Sequence, residues 1–546
     1  MSTRDQYTLE QGMSNMNLEQ SFLSKQYHTV QDNNNNTYST NQLYYQLSNI
    51  YNLNKYYDWA NGVLMIPINI KVECNDKDLE PLSNFITLKN NLHLINSMTM
   101  SANSKVIHQS SNRMNEFYNW QKLSETTLNT LPNFDYLNFY PEDSDFLSEL
   151  TGPDSKYEFT FGTSGDLNNK PTNVFNNMGE FESFTYKTDK MNIFNNDVQT
   201  KYFGEGSRKG QYIDTITRTS AREHNYEFMC YLKLSDISNF FKEVSLSKLF
   251  VDNLTMFLNF GYSVYSFSGA SKKLATNCSE TVNLFQYTTC PFYVNRQANI
   301  LTADAASTTK LTFTITAGNS IKRNSEIYIA GYVMDPTVET KYISNPVRDF
   351  YFKDFYYTDA IGLSIKSQFS IKLNNSVINP VGVLIIPYIN NKHTNDKNVT
   401  SSLVNVEPNI PSIVNLKNLN ITVGGQQILL KSADYNYEHF LGNLGGGNIN
   451  VINGGANLES SLITLKRFNN NYKYYYFDCN NLAPQLNVAQ AIELQGFNDN
   501  NFTLNLNIFV IVNKMISINK ENGNILGLVW VILNQKNLKI ISIHLT

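Results

Sequence analysis

The sequence predicts an all-β chain made of two large antiparallel sandwiches with the same layout. Three observations predict it. The first is a strand order that occurs twice. The first half reads Gly62–Ile70 as an apolar strand and, after a loop, Ile86–Met100 as a long strand. A short turn, Lys105–Ile107, a polar stretch and the aromatic segment Asn115–Trp120 follow. The second half reads Val383–Ile389, Val414–Val423, a Gly-Gly turn, Gln427–Leu430, a polar stretch and Tyr435–Phe440 in the same order. The closing parts match as well: Tyr226–Leu234 and then Leu254–Val264, against Tyr472–Asp478 and then Ala491–Leu494 and Leu504–Val512. The second observation is alternation of apolar and polar residues in Lys310–Thr316 and Phe369–Leu373, the period of a half-buried strand. The third is that no segment carries a long, clean helical period, while aromatics reach 13% with Tyr 34 and Phe 33, a composition that suits pleated surfaces.

The chain has 546 residues, enough for a pair of β domains of roughly 200–250 residues each. Hydrophobic residues are 41% and charged ones 16%, so cores are affordable and the surface field is weak. Net charge is −4 and the pI about 6.0. There is no basic domain or Arg-rich arm, so tight nucleic-acid binding through clustered Lys and Arg is not expected. Cys74, Cys230, Cys278, Cys290 and Cys479 are far apart and form no CxxC pair. They are read as reduced thiols in an intracellular place of synthesis, packed as small hydrophobes. Cys230 and Cys479 fall on corresponding strands. The start, Met1–Gln6, lacks an apolar signal core. The most apolar run, Ile525–Leu533, is too short to cross a bilayer.

Along the chain, residues 1–57 are expected to form an N-terminal arm and docking segment. Residues 1 to about 40, with the run Asn33–Asn36, are read as a mobile arm dispensable for folding. Leu43–Tyr57 is read as a short helix or a docking segment. Residues 58–268 form the first β unit, with a long irregular region over Leu123–Asp214 and a short helix within Leu234–Leu249. Residues 269–518 form the second, which includes Lys310–Thr316 and Ile327–Val333. Its glycine-rich stretches Gly442–Gly447 and Asn453–Gly455 are read as flexible corners. Residues 519–546 are a C-terminal tail.

No catalytic, cofactor-binding or metal site is expected. The seven His form no HExxH, HxH or Cys/His cluster. His93 is read as a strand residue and His439 as a structural residue among aromatics. Glu142–Asp145 is an acidic turn without the Asp-x-Asp-x-Asp-Gly order of a calcium loop. Glycosidases on sandwich folds use two carboxylates across a cleft; Glu326 and Asp354 are candidates that sequence cannot pair. Gly442–Gly447 is not followed by Lys-Ser/Thr, and in Gly162–Asp166 an aspartate stands where a nucleophile elbow needs its second glycine.

Spread over this frame are segments that resemble a known family. Ser97–Met100 through Phe117–Leu123 resembles its first-domain strand pair and following segment. Leu137–Ser144 resembles its Gly-Phe-x-Pro-Asp-type stretch, with Asn-Phe in place of the glycine. The strongest match is C-terminal: Val383–Ile389, Asp434–Phe440, Ile452–Gly455, Ser460–Ile463, Tyr472–Asp478, Pro484 and Ala491–Gly496 occur in the family's order. In these features the chain resembles the double jelly-roll major capsid proteins of Polinton-like viruses, adintoviruses and virophages. It departs at Asn480-Asn481, where the family carries a basic pair, and beyond Ile518, where Ile525–Leu533 reads as an arm docking on a neighbour or as a fortuitous extension. The resemblance implies two side-by-side eight-stranded antiparallel jelly rolls with long loop insertions and short helices. It implies a homotrimer forming a pseudo-hexagonal capsomer, contacts to neighbouring capsomers and to penton or minor capsid proteins, and an icosahedral virion built from protein made inside the host cell. The long loops of the first unit would form the outer tower. The rival readings are an intracellular carbohydrate-binding or adhesive β-sandwich and a sandwich-fold hydrolase.

Overall fold

The computed structural model describes, with short breaks, residues 21–34, 42–47, 55–76, 84–126, 213–268, 291–295, 310–318, 324–389, 414–446, 463, 465, 468, 473–479 and 489–530. Glu142–Asp145, Gly162–Asp166, Asn453–Gly455, Cys278, Cys290 and most of Leu123–Asp214 lie outside the described residues.

The first half contributes β1 (Phe22–Gln31), β2 (Gln42–Gln46), β3 (Tyr56–Tyr57), β4 (Val63–Cys74), β5 (Asn84–Leu88), β6 (Ile95–Ala102) and β7 (Lys105–Ser110). Helix α1 (Met114–Glu125) follows, then β8 (Ile213–Ser220) and β9 (Glu223–Lys233). Next come the short helices α2 (Leu234–Ile237) and α3 (Asn239–Glu243), with β10 (Thr255–Phe260), β11 (Ser263–Ser268), β12 (Pro291–Asn295), β13 (Lys310–Ala317) and β14 (Glu326–Met334). Eight of these strands make the frame: β1, β2, β4, β6, β7, β9, β10 and β14. One sheet runs β1-β14-β4-β9 and the facing sheet β2-β10-β6-β7. Numbered one to eight along the chain, the framing strands are ordered 1-8-3-6 and 2-7-4-5, which is the double Greek key of a jelly roll. Strands β3, β8, β11 and β13 extend the first sheet, and β5 pairs separately with β12.

Helix α4 (Pro336–Ile343) leads into the second half. There β15 (Val347–Leu363), β16 (Ser367–Lys372), β17 (Pro380–Ile389), β18 (Leu416–Val423) and β19 (Gln426–Gln427) precede helix α5 (Tyr437–Gly446). Then come β20 (Tyr475–Asp478), β21 (Ile492–Asn498), β22 (Leu504–Asn519) and β23 (Ile525–Trp530). The sheets run β15-β22-β17-β20 and β16-β21-β18-β19, again 1-8-3-6 and 2-7-4-5. A helix follows the fifth strand in both halves: α1 after β7, α5 after β19. The fold is therefore a double jelly roll, and the repeated order legible in the sequence is a repeated topology.

Local chemistry accounts for the elements. In β4, Leu64, Ile66, Ile68, Ile70 and Val72 are fully buried while the intervening positions are partly exposed or lie on the outer face, the two-residue period of a pleated strand. Helix α4 starts on Asp335, whose carboxylate accepts from the Thr337 and Val338 amides at 2.8 and 3.4 Å, with Pro336 in its first turn. This capped helix ties both halves. The Tyr56 hydroxyl and the Lys248 ammonium donate to Glu339 at 3.0 and 2.6 Å from the first roll. From the second, the buried Arg348 donates to the Tyr342 hydroxyl at 3.2 Å and Lys520 to the Tyr342 carbonyl at 3.3 Å.

Several expectations are corrected. The boundary at 268/269 does not hold, because β13 and β14 belong to the sheet of β4. The change of sheet falls between Met334 and Val347. In the second roll only residues 499–503 separate the seventh strand from the eighth; in the first, residues 261–325 intervene, so Ile327–Val333 sat nearer the wrong unit in sequence. Residues 1–57 are not all arm: β1 pairs with β14 over Phe22–Gln31 and buries Val30. The described residues of Leu43–Tyr57 include the strands β2 and β3. Gly442–Gly446 lies in α5, whose Phe440 and Leu444 are fully buried and whose first turn is capped by the Asn436 carboxamide accepting from the His439 amide at 3.1 Å. His93 lies in a 3-10 turn, Asn91–Leu94. In the tail, β23 pairs with Lys514–Ile518 of β22, beyond the part of β22 that β17 covers.

Deleting residues 2–31 is expected to lower the melting temperature by more than about 5 °C, because it strips β14 of its neighbour and uncovers Ile327 and Ile329. Calorimetry on the purified chain checks this; an unchanged transition would return β1 to the status of a detachable arm.

Candidate functional site

The described residues gather no group of three or more His, Cys, Asp and Glu side chains able to hold a metal ion. No helix among them is long and apolar enough to cross a membrane. The two carboxylates considered for a hydrolase are not brought together. Glu326 begins β14 in the first roll and accepts from Gln31 at 3.1 Å, while Asp354 is fully buried on β15 in the second. The densest chemistry in the described molecule is instead the seam between the rolls, where Asp354 lies.

Helix α1 builds the apolar part of that seam. Met114, Phe117, Tyr118, Trp120 and Leu123 are buried, and so are its polar residues Asn115, Glu116, Asn119 and Ser124. A helix buried all round must be covered on every side. On one side it packs on its own roll. On the other it lies across the outer face of the β15-β22-β17-β20 sheet. The Phe117 ring is 4.5 Å from Phe355 and 6.1 Å from Phe509, and Trp120 is 5.3 Å from Tyr476. The register agrees: Tyr357 stands opposite Phe509, and Phe509 opposite Leu384, on one sheet face. Strand β22 is buried at every position from Leu504 to Val512, because its even-numbered residues face its own roll and its odd-numbered ones face α1.

Two buried polar groups cross the seam. In the first, the Asn507 carboxamide donates to Glu116 at 2.6 Å and accepts from the Tyr357 hydroxyl at 3.0 Å, while Arg113 holds the other Glu116 oxygen at 3.3 Å. In the second, Lys514 pairs with Asp354 at 2.5 Å, and His108 Nδ1 from β7 stands 3.7 Å from the same carboxylate oxygen. The His108 ring stacks on Phe240 at 5.0 Å and meets Phe352 edge-on at 5.5 Å. Its Nε2 lies 3.0 Å from the Ser238 hydroxyl, which also accepts from Tyr118 at 3.3 Å and from the Phe240 amide at 3.2 Å. With both its lone pairs taken, that hydroxyl donates to Nε2, and the arrangement assigns the neutral ring its proton on Nδ1, toward Asp354. Burial lowers His108 from 6.5 to about 4, against the opposing pull of Asp354 and aided by Lys514. Burial likewise lowers Lys353 to about 8, with Glu125 and Asp478 acting the other way. Cys74, Cys230 and Cys479 are buried thiols; burial raises the Cys479 thiol well out of the reactive range.

His439 sits on α5 beside the Tyr435 ring at 5.6 Å and engages Asn436, a capping role. The seam residues Glu116, His108, Asn507 and Lys514 carry no motif. One signal pointed at them: Ile508–Val512, apolar without alternation and so covered on both faces.

No family model matches the sequence, and no curated protein matches it. The chain is similar to the crystal structure of mavirus major capsid protein, with TM-score 0.45 and 10% identity over 97% of this chain and 95% of that one. It is also similar to the Faustovirus major capsid protein, with TM-score 0.40 and 9% identity over 94% and 98% of the two chains. A third similarity is to PBCV-1 VP54 fitted into a reconstruction of the virophage Sputnik, with TM-score 0.35 and 9% identity over 92% and 97%. The strand orders read from the chain itself carry the fold.

Phe117→Ala is expected to destabilise the chain by about 3–5 kcal/mol, read by denaturant unfolding, with loss of the contacts between the rolls. The pH dependence has a definite sign. The unfolded chain protonates His108 near 6.5, the folded chain only near 4, so the stability this residue contributes is present above pH 6.5 and falls as pH drops through that window. His108→Gln should flatten the fall in melting temperature between about pH 6.5 and 4; an unchanged slope would mean the ring is accessible to protons in the folded state.

Proposed function

We propose that the chain is a major capsid protein that trimerises into pseudo-hexagonal capsomers and assembles into an icosahedral shell. The observation that carries this reading is the identical 1-8-3-6 and 2-7-4-5 order of two jelly rolls welded side by side through α1. One such chain supplies a pair of nearly equivalent blocks, so three chains around an axis supply six. The order of family-like segments across the sequence supports the same reading, from Ser97–Met100 to Ala491–Gly496. So does the direction of the strands. In the first roll β1 and β4 run one way and β9 and β14 the other. The connections after β1 and β4 and those entering β9 and β14 therefore share one end of the roll. The two frame connections that carry the long inserts, from β7 to β9 and from β10 to β14, both enter their strands at this end, which suits an outer tower that meets hosts or minor proteins. The weak surface charge suits packing many copies without strong self-repulsion. Penton or minor capsid proteins are the further partners in this reading, and the virion its location.

Light scattering on the purified full-length chain is expected to give a mass about three times the 62.4 kDa protomer or larger closed assemblies, with hexagonal outlines by negative-stain microscopy. A monomer that persists through a concentration series, alone and with a co-expressed assembly partner, would refute the proposal. Glycan binding by such a monomer would favour the adhesive reading.

A further inference from the structure

The two rolls share a topology but not a cover. The outer face of the β15-β22-β17-β20 sheet is buried, with Phe509 and Tyr476 lying under α1. The same face of the first roll's sheet is open at its β1-β14 side. Tyr27 is 54% exposed and Tyr328 37% exposed, and their rings stack at 4.8 Å. The Lys25 ammonium lies 4.8 Å from the Tyr27 ring and 5.5 Å from the Tyr332 ring. The register places them together: Lys25 stands opposite Tyr332, Tyr27 opposite Ala330, and Tyr328 opposite both Thr29 and Val63, while Ile327 and Ile329 face the core. Stacked tyrosines on a sheet are stiff, apolar and already ordered, which is what a protein interface favours.

We infer that this face is a docking surface for a second copy of the chain, covered by the flank of the second roll that carries α5, as α1 covers the second roll within one chain. The inference rests on the assembly proposed above and names its contact. Three observations lead to it. Helix α5 follows the fifth strand of its roll as α1 does. On this flank Leu465 is 51% exposed, three residues before Phe468, whose ring lies 5.2 Å from Phe440 of α5. And the exposed Glu438 in the first turn of α5 offers Lys25 an opposite charge. The contact joins unlike surfaces, so it repeats head to tail until the rotation closes a ring.

The test compares full-length wild type, a Tyr27→Lys/Tyr328→Lys double variant and a Leu465→Lys variant by light scattering over a concentration series. All three positions are exposed, so the melting transitions should coincide. Each variant is expected to raise the association midpoint about tenfold or more. In wild type, hydroxyl-radical labelling of Tyr27 and Tyr328 should fall on association. A wild type that never associates overturns both this surface and the capsid reading. A wild type that associates with Tyr27 and Tyr328 still labelled, or a double variant that associates as well as wild type, overturns the surface and leaves the capsid reading standing. Loss of association in the double variant alone, with Leu465→Lys unaffected, overturns the assigned flank.

Discussion

Helix α1 belongs to one roll and is buried by the other, and the rest of the molecule depends on that placement. Its Phe117 and Trp120 fill the outer face of the second roll's main sheet. Without them Phe355, Phe509 and Tyr476 would leave an aromatic patch in water. The polar groups at the seam do a different job. A buried ion pair such as Asp354–Lys514 gains little net stability, since desolvation offsets most of its attraction. What it does contribute is intolerance of error. If the rolls slid by one residue, Glu116 would lose Asn507, and Asp354 would keep Lys514 but lose the facing His108. Hydrophobic packing holds the rolls together, and the polar contacts fix their register. Helix α4 reinforces this by anchoring Glu339 to the first roll and Tyr342 to the second.

Much of the fold was legible because a strand that faces one core must alternate. That rule located β13 and β16, while β4 and β17 stood out as apolar runs. The doubled order of β4, β6, β7 and α1 against β17, β18, β19 and α5 was visible because those connections are short or similarly placed. The boundary was not legible, for a physical reason. A jelly roll pairs its first strand with its last, so β1 and β14 are neighbours across about three hundred residues of chain, and no local pattern marks a pairing that distant. Loop closure grows costlier only slowly with length, so the long insert before β14 leaves the pairing intact and erases the clue. Gly442–Gly446 misled for the opposite reason: glycine is a weak helix former, but the cap at Asn436 and the buried Phe440 and Leu444 outweigh it.

The seam itself was nearly invisible. Asp354 drew notice as a lone acid, yet its meaning depends on Lys514 and His108, which come from different strands and, for His108, from the other roll. Only covered surface betrays such a site in a sequence. Strand β22 showed it through Ile508–Val512, where alternation stops because both faces are packed. The polar residues in its neighbourhood, Asn505 and Asn507, are buried as well. A buried carboxamide that both donates and accepts looks in sequence like any surface asparagine.

Duplication of a roll lets its two copies diverge in what they cover. The second roll gave up its outer sheet face to α1 and kept a short path between its seventh and eighth strands. The first kept the β1-β14 side of that face at the surface and took long inserts between its fifth and sixth and its seventh and eighth strands. This division follows from the seam. A sheet face buried against a partner roll cannot accept a bulky neighbour, whereas a free roll end can lengthen without disturbing either core. The low charge of the whole chain then has a consistent reading. Where recognition is carried by aromatic faces and by buried, neutral or paired polar groups, a strong net field would add repulsion between copies without adding specificity.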